Sequence, residues 1–202
     1  MTAKHLIKNY YHKHAPVYDI TRWLFLFGRS ALLRHLPHFS MPPAVIDVGC
    51  GTGTMTLPLT KLYPKGMVTG IDLSDHMLRL ARRKSGPDSS IRFLNSDIDT
   101  FLEQSDTTFD LVVCSYSLTM MEYPEKRLDQ IIEQASAGTF IAIVDFHDTR
   151  FPLFRAWMKR NLMTFTPSIF KNREPECTTL HHSVHLAYGG WWTYGMLVLQ
   201  KR

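Results

Sequence analysis

Short apolar runs alternate with stretches of helical periodicity from residue 44 onward. Apolar runs bounded by turn residues are typical of buried strands. Five such runs lie at 44–48, 68–72, 91–94, 109–115 and 140–146. The periodic stretches between them predict helices at 55–62, 75–83, 98–103 and 124–135. Strands that alternate with helices in this way form βαβ units, so we predict a doubly wound α/β fold around a mostly parallel sheet.

The two ends of the chain depart from this alternation. The first segment predicts two helices, 3–14 and 22–36, interrupted at Pro16 because proline disfavours helical backbone in the residue before it. After a predicted helix at 153–163, two strand-like runs are joined by a Gly-Gly turn, which predicts an antiparallel strand at the C-terminus. No linker divides the chain. We therefore predict one domain over residues 1–202, with a seven-stranded sheet and an N-terminal helical lid.

The composition agrees with one globular domain in a reducing compartment. The chain has 202 residues, of which 45% are hydrophobic and 20% charged, and a chain of this length needs no disulfide or structural metal to fold. Cys50, Cys114 and Cys177 form no C-x-x-C pattern, so we expect neither a disulfide framework nor a metal site. No apolar stretch approaches the ~18 residues of a membrane-spanning helix, and the first residues have no signal-peptide pattern. These features predict a cytoplasmic protein.

The charge is distributed unevenly along the chain. Residues 1–40 and 150–175 each carry six Lys/Arg against one acid, whereas residues 85–149 carry three against twelve. Both basic segments are rich in Trp, Phe and Leu. This mixture suits peripheral contact with an anionic membrane, where each nearby cation contributes about 1 kcal/mol. No nucleic-acid-binding motif is present, so we expect no nucleic acid partner. An ordinary basic surface is the alternative that the sequence leaves open.

The strongest chemical signal is a glycine-rich loop at 47–53 (DVGCGTG), between the first predicted strand and the first helix of the core. Glycines at such a turn let a ligand approach main-chain atoms without a Cβ in the way. Asp72 ends the next strand, where a carboxylate can accept both hydroxyls of a ribose. Strand, loop, helix and acid together predict a nucleoside-binding site.

Asp47 and Thr54 indicate which nucleoside. A dinucleotide fingerprint, counted from Gly49, requires glycine at the position that Thr54 occupies. The Asp47 carboxylate would also repel a pyrophosphate at close range. S-adenosylmethionine carries an ammonium and a sulfonium and no phosphate, so an acidic glycine loop suits it better than it suits NAD(P).

Four segments, in order and spacing, resemble the successive motifs of class I S-adenosylmethionine-dependent methyltransferases. They are VIDVGCGTG (45–53), GIDLS (70–74), NSDI (95–98) and FDLVVCS (109–115). The resemblance covers about residues 44–146, and the terminal strand pair resembles the sixth and seventh strands of that family. It implies a Rossmann-like methyltransferase fold, S-adenosylmethionine as cofactor and S-adenosylhomocysteine as product.

The resemblance also implies the residues of the cofactor site. Around the methionyl part it places the loop residues Asp47, Gly49, Cys50 and Gly51. Around the ribose and adenine it places Asp72, Leu73, Met77, Asp97 and Ile98. Ser115 and Tyr116 follow the fourth strand at the mouth of the active site. Core packing is the alternative for Met77 and Ile98, and a strand-end cap is the alternative for Ser115.

The flanking segments bear on the methyl acceptor. Residues 10–19 (YYHKHAPVYD) resemble the N-terminal lid of bacterial phospholipid and betaine-lipid N-methyltransferases and of their quinone-methylating relatives. Residues 144–147 (VDFH) and the Gly-Gly-Trp-Trp turn also resemble the betaine-lipid branch. The resemblance implies a lid at 1–40, a cofactor-binding core at 44–146 and an acceptor-site segment with the terminal strands at 147–202.

An amine acceptor sets two chemical requirements. Aromatic faces attract an ammonium by roughly 0.5–2 kcal/mol each; the candidates are Tyr11, Tyr18, Tyr116 and Phe146. An ammonium must also lose a proton before it reacts, and His147 or Tyr116 are the candidate acceptors of that proton. Tyr18 is a third catalytic candidate. Tyr18 and Arg29 are also candidates to contact the cofactor carboxylate, or, for Arg29, a lipid phosphate.

The leading hypothesis is N-methylation of an amphiphilic amine, such as a lipid head group, by a protein peripheral to the inner face of the membrane. One alternative is C- or O-methylation of a quinone or small metabolite. A second is a non-catalytic module that binds the cofactor.

Overall fold

The computed structural model of the protein describes residues 25–86, 90–104 and 108–202. These residues contain seven strands: β1 Ala44–Val48, β2 Met67–Asp72, β3 Ile91–Asn95, β4 Leu111–Ser115, β5 Phe140–Asp148, β6 Cys177–Ala187 and β7 Trp192–Lys201. Six helices lie among them: α1 Arg29–Arg34, α2 Thr56–Leu62, α3 Asp75–Ser85, α4 Ile98–Gln104, α5 Pro124–Gln134 and α6 Pro152–Arg160. Three short 3-10 turns complete the described elements: η1 Leu118–Met120, η2 Pro167–Phe170 and η3 Tyr188–Gly190.

The strands form one sheet in the order β3-β2-β1-β4-β5-β7-β6. β1 pairs with β2 in parallel, and β2 pairs with β3 in parallel. β7 is antiparallel to both of its neighbours, β5 and β6. This seven-stranded mixed sheet confirms the predicted fold class.

Residue contacts divide the chain into two compact units. The first contains His38–Val113 together with the described residues before Phe27, and the second contains Phe27–Pro37 and Cys114–Arg202. The chain passes from one unit to the other within β4. The single domain over 1–202 and its internal boundaries stay a prediction.

In the first unit, α3 shows how local sequence sets an element. Ser74 caps the helix by accepting a hydrogen bond from the backbone N–H of Met77. Asp75 lies in the first turn and three basic residues lie in the last, as the helix dipole favours. The face with Met77, Leu78 and Ala81 is buried. This capping and patterning explain why the helix begins where the sequence predicts.

In the second unit, β7 is the central strand and β6 the edge strand. Residues 195–199 of β7 are buried, whereas alternate residues of β6 remain exposed. Gly195 permits this packing, because a Cβ there would lie 2.6 Å from the Phe170 ring. The terminal strands therefore join the sheet with the last strand inserted inside it.

Two predicted helices differ from the structure. The helix expected at 22–36 is helical only over Arg29–Arg34 within its described residues. Gly28 precedes it with a φ of 81°, and a Cβ there would lie 2.5 Å from the Tyr194 ring. The helix expected at 153–163 ends at Arg160, and Leu162 has a left-handed φ of 59°.

The described residues do not include the helix predicted at 3–14 or most of the lid. They also do not include Tyr11 and Tyr18. None of the helices in the described part of the chain combines the length and the apolar character needed to cross a bilayer.

Candidate functional site

The glycine loop after β1 is held in a sharp turn by main-chain hydrogen bonds. The N–H groups of Gly49 and Cys50 both donate to the Ile71 carbonyl, at 2.9 and 3.0 Å. Gly49, Gly51 and Gly53 have positive φ values of 69°, 55° and 79°, which L side chains rarely adopt. A Cβ at Gly51 would meet no atom within 4 Å. The loop therefore presents bare main chain to open space.

Asp72, at the end of β2, fixes this loop. Its Oδ2 accepts from the Gly51 N–H at 2.9 Å, and its Oδ1 accepts from the Ser74 N–H at 2.8 Å. Burial raises the pKa of Asp72, while the two N–H donors oppose that rise. Because each carboxylate oxygen has further lone pairs, the group can accept ribose hydroxyls beside the loop.

Asp47 is buried at the end of β1 and contacts the following helix. The Thr56 hydroxyl, in the first turn of α2, donates to Asp47 Oδ2 at 2.6 Å. Only 1% of Asp47 is exposed. This bond ties β1 to α2 across the glycine loop. A direct contact between the Asp47 charge and the cofactor stays a prediction.

Cys50 faces the protein interior. It packs in a cluster with Leu78, Ala81 and Phe93. Burial raises the pKa of its thiol well above the usual value, and the nearby carboxylates of Asp47 and Asp72 raise it further. Cys50 is therefore a protonated thiol, and only its main chain belongs to the loop surface.

The residues expected around adenine have structural roles of their own. Asp97 caps α4: its carboxylate accepts from the Thr100 N–H at 3.1 Å and from the Thr100 hydroxyl at 3.2 Å. Met77 is fully buried and Ile98 nearly so, whereas Leu73 is half-buried. Core packing, the alternative for Met77 and Ile98, accounts for their burial. Contacts of all four residues with adenine stay predictions.

In the second unit, Ser115 and Tyr116 form a group with Arg29. The Arg29 Nε–H donates to Ser115 Oγ at 2.9 Å, and its guanidinium carbon lies 5.7 Å from the centre of the Tyr116 ring. The Tyr116 hydroxyl donates to the Phe27 carbonyl at 2.7 Å. Burial, and then the charge of Asp145, raise the pKa of Tyr116 well above its usual value. Because the phenol is fixed and protonated, Tyr116 is better suited to line a binding site than to accept a proton.

Phe146 joins this group, whereas His147 does not. The Phe146 ring lies 4.8 Å from the Tyr116 ring and 5.8 Å from the Phe165 ring. His147 instead contacts Phe170, and its Nδ1 lies 3.1 Å from Thr193 Oγ1. Successive residues of a strand point to opposite faces. The structure thus places two of the predicted catalytic residues, Tyr116 and His147, in different side-chain groups. The third, Tyr18, lies outside the described residues.

His147 lines a cavity of about 380 Å³ inside the second unit. The other lining residues come from the end of β5 and the two residues after it, from β6, from η3 and from the start of β7: Asp148, Thr149, Arg150, Val184, Leu186, Gly189, Gly190, Trp192 and Thr193. Burial lowers the pKa of His147, which keeps the imidazole neutral at physiological pH, although Asp148 opposes this. A neutral imidazole can accept a proton from a ligand in this cavity.

Comparison with known proteins agrees with this geometry. Residues 45–138, which contain the glycine loop and Asp72, match a model of the methyltransferase domain. Residues 45–138 form a methyltransferase domain. The seven-stranded mixed sheet agrees with a Rossmann-like methyltransferase fold. The magnesium protoporphyrin IX methyltransferase of Synechocystis PCC 6803, which superposes with a TM-score of 0.67 at 15% identity over 100% of both chains, has S-adenosylhomocysteine bound.

Relatives of this methyltransferase domain act on different acceptors. The demethylmenaquinone methyltransferase of Clavibacter sepedonicus is 29% identical over 161 residues, which cover 78% of this chain and 64% of that protein. The malonyl-[acyl-carrier protein] O-methyltransferase of Halalkalibacterium halodurans is 26% identical over 152 residues, which cover 72% and 45%. The chain thus spans less than two thirds of either relative.

A solved structure supports the fold. The phosphoethanolamine N-methyltransferase 2 of Haemonchus contortus, in complex with S-adenosylhomocysteine, superposes with a TM-score of 0.73. The match covers all of this chain and 60% of that chain, with 12% sequence identity. At this identity the likeness concerns the fold alone.

Asp145 is a fully buried carboxyl close to Tyr116, and the sequence pattern did not single it out as a functional residue. Its Oδ2 accepts from the Thr119 N–H at 3.2 Å and its Oδ1 from the Phe146 N–H at 2.9 Å, and the Thr119 hydroxyl donates to it as well. The sequence does contain a signal by which this residue could be found, because an acid inside the apolar run IAIVDF (141–146) is unusual. These bonds fix the turn after Tyr116 against β5.

Asp145 makes stability depend on pH. Burial raises its pKa to about 6, above the usual value for an exposed carboxyl. The folded state therefore holds this proton more tightly, and the stabilisation is present at low pH and lost as the pH rises through about 6. Relative to Asp145→Asn, the wild type should lose about 2 kcal/mol of unfolding free energy between about pH 4 and pH 7. Denaturant unfolding of both proteins at a series of pH values measures this loss of unfolding free energy.

The matched control is Asp75→Asn, which removes an exposed carboxylate in the first turn of α3. Its unfolding free energy should follow the wild type across the same range. Parallel curves for the wild type and Asp145→Asn would contradict the assignment.

Proposed function

We propose that the protein transfers the methyl group of S-adenosylmethionine to a carbon of a quinol-type ring that reacts as its phenolate. This proposal rests on the position of Arg29, whose guanidinium lies against the Tyr116 ring and donates a hydrogen bond to Ser115. A fixed cation at this place attracts an oxyanion and repels an ammonium. The similarity to a demethylmenaquinone methyltransferase supports the same acceptor class.

Two parts of the chain would contribute to the reaction. The bound cofactor supplies an electrophilic methyl group on a sulfonium. The glycine loop and Asp72 would hold the nucleoside part, and the open space above Gly51 leaves room for it. Arg29 would lower the pKa of the acceptor's phenol by a unit or more, as a cation within about 4–6 Å does. The phenolic proton would leave to water. When the ring carbon gains the methyl group and the sulfonium becomes the thioether of S-adenosylhomocysteine, that carbon would also lose its own proton to water, which restores the aromatic ring. Both protons are acidic enough that the protein needs no strong base.

The aromatic side chains would position the ring. Tyr116 is locked by its hydroxyl bond to the Phe27 carbonyl, and Phe146 is fully buried beside it. Offset or edge-to-face contact with these rings suits a flat aromatic acceptor. Holding the ring carbon in line with the methyl group and excluding water supply most of the rate enhancement in such a displacement.

N-methylation of a lipid amine is the second candidate. The specific observation in its favour is the pair of aromatic faces at Tyr116 and Phe146, which also suits a quaternary ammonium. Tyr11 and Tyr18, the other residues expected in that aromatic box, lie outside the described residues. The Arg29 charge weighs against a cationic acceptor.

Replacement of Arg29 tests the proposed role of its charge. Arg29→Gln should lower kcat/KM for a quinol acceptor by roughly tenfold to a hundredfold, as expected for a charge-assisted hydrogen bond. Arg29→Lys should recover part of the loss because it keeps the charge. Initial rates at varied acceptor and at varied S-adenosylmethionine measure the two KM values separately.

Arg34→Gln is the matched control, because Arg34 is an exposed residue in the last turn of the same helix. Its kinetics should equal those of the wild type. A rise in the KM for S-adenosylmethionine alone would assign Arg29 to the cofactor carboxylate and contradict its role with the acceptor.

The acceptor class is tested directly with methyl-labelled S-adenosylmethionine. Three acceptors compete: a prenylated quinol, phosphatidylethanolamine in detergent micelles and an acyl carboxylate. A C-methyl product keeps its label in alkali, whereas a methyl ester releases labelled methanol. Label in the alkali-stable quinol product is the expected outcome. Label in the quaternary ammonium of the lipid would replace the proposal with the second candidate, and labelled methanol would replace it with O-methylation.

A further inference from the structure

Helix α6 exposes large apolar side chains at its outer face. Of its nine residues only Met158 is buried, and Phe154 is half-buried. Leu153 is 87% exposed and Trp157 is 49% exposed. These two residues are four positions apart, so they lie on one face of the helix. A helix that belonged only to the domain core would bury such a face.

The turn before β7 extends this apolar face. Trp191 is 57% exposed, and its ring lies 5.6 Å from Phe151 and 6.2 Å from Phe154. The Phe154 ring in turn stacks on Trp157 at 5.8 Å. The aromatic rings are therefore contiguous. We call the exposed residues Phe151, Leu153, Trp157 and Trp191 the α6 surface.

The charged residues at positions 149–160, which include helix α6, are all basic. Arg150, Lys159 and Arg160 are exposed, and the guanidinium carbon of Arg150 lies 5.1 Å from the centre of the Phe151 ring. The chain has no acidic residue from 149 to 173. Asp148, just before this range, pairs with Arg155. The surface therefore combines exposed tryptophans with cations, and among the described residues Arg150, Lys159 and Arg160 form no ion pair.

We propose that the α6 surface docks on an anionic lipid bilayer. Tryptophan and leucine can enter the head-group region, where the indole ring suits the boundary between water and hydrocarbon. The surrounding Lys and Arg side chains attract anionic head groups. Leu186 and Arg150 line the cavity beside His147, and Leu186 is 73% exposed. Docking would bring the rim of this cavity to the lipid.

Charge complementarity distinguishes a bilayer from a second copy of this chain. In a two-fold symmetric dimer the same patch would meet itself. Arg150, Lys159 and Arg160 of the two copies would then face one another, and like charges at an interface are unfavourable. An anionic bilayer satisfies the apolar and the cationic side chains together. Docking depends on neither the cofactor nor the acceptor, so it is separable from the proposed methyl transfer.

Vesicle co-sedimentation of the full chain, without cofactor or acceptor, tests the docking. Vesicles of phosphatidylcholine with phosphatidylglycerol should bind the protein, and pure phosphatidylcholine should bind it far more weakly. Arg160→Glu should weaken binding about thirtyfold at low salt, because it changes the local charge by two units. Leu153→Asp should cause a loss of similar size that persists at high salt.

Lys126→Glu and Tyr123→Asp are matched controls. Lys126 lies on α5 and Tyr123 directly precedes that helix, and both residues are exposed. Lys126→Glu changes the charge by the same two units as Arg160→Glu, and Tyr123→Asp replaces an exposed large side chain with a carboxylate, as Leu153→Asp does. Both controls should leave vesicle binding unchanged. Equal losses in the controls would overturn the location of the surface.

Three further outcomes would overturn the proposal itself. One is no sedimentation with anionic vesicles at low salt. The second is a concentration-dependent dimer that Leu153→Asp dissociates, measured by sedimentation velocity. The third is competition of a DNA or RNA oligonucleotide for the same surface at concentrations below those of the lipid.

Discussion

Gly51→Arg is expected to lower the affinity of the protein for S-adenosylmethionine and S-adenosylhomocysteine by at least about a thousandfold, or about 4 kcal/mol. The Gly51 φ of 55° places its missing side chain over the loop, where a Cβ would meet no protein atom within 4 Å. An arginine side chain would fit there without a clash inside the protein. It would occupy the space that the nucleoside requires, and the affinity would fall because ligand and side chain exclude each other.

Isothermal titration with S-adenosylhomocysteine measures the loss. The matched control is Gly138→Arg, because Gly138 also has a positive φ, 90°, and an added Cβ would also meet no atom within 4 Å. Both variants bear the cost of a left-handed side chain, about 1–2 kcal/mol in stability. Only Gly51→Arg should lose the ligand. Unchanged affinity in Gly51→Arg, with a normal melting temperature, would show that the cofactor binds elsewhere.

Asp72→Ala is expected to lower cofactor affinity by roughly a hundredfold to a thousandfold, as expected for two charge-assisted hydrogen bonds to ribose hydroxyls. The carboxylate accepts from the N–H groups of Gly51 and Ser74, so its loss also releases the loop from β2. Asp72→Asn should lose less, since one amide oxygen still accepts. Both effects act in the same direction on the affinity.

The pH dependence tests whether the charge of the Asp72 carboxylate contributes to cofactor affinity. Burial raises the pKa of Asp72, so in the wild type the carboxylate gains its proton at a higher pH than an exposed acid does. Cofactor affinity should therefore fall as the pH is lowered toward that pKa, and it should not fall in Asp72→Asn. Asp75→Ala, an exposed acid three residues away, should bind as the wild type does. An Asp72→Ala variant with wild-type affinity would remove Asp72 from the site.

The sheet could be predicted because its strands are set by local patterns. β1 matches the prediction at both ends, and β2 and β3 each differ by one residue. The extent of the lid helix could not be predicted, because the described helix begins only after Gly28, for a reason that lies far away in sequence. A Cβ at Gly28 would collide with Tyr194, and only the packed structure brings these residues together.

The candidate site, like the fold, could be predicted from the sequence only in part. The glycine loop and Asp72 follow from spacing after successive strands, and the structure joins them through the bond from the Gly51 N–H. The sequence did not reveal that Tyr116 and His147 belong to different side-chain groups. Phe146 packs with Tyr116, whereas His147 packs with Thr193 and Phe170. Pattern alone does not reveal which neighbours occupy each face of a strand.

The sequence by itself determined the α/β class, the loop that turns at Gly49, Gly51 and Gly53, and the acid Asp72 at the end of β2. These depend on local periodicity and on backbone angles that glycine adopts without strain. Only the tertiary structure decided that Arg29 lies against Tyr116, eighty-seven positions further along, and that Asp145 is buried beneath Thr119. Contacts between residues far apart in the chain depend on how whole elements pack, and burial then sets the charge of the groups they enclose.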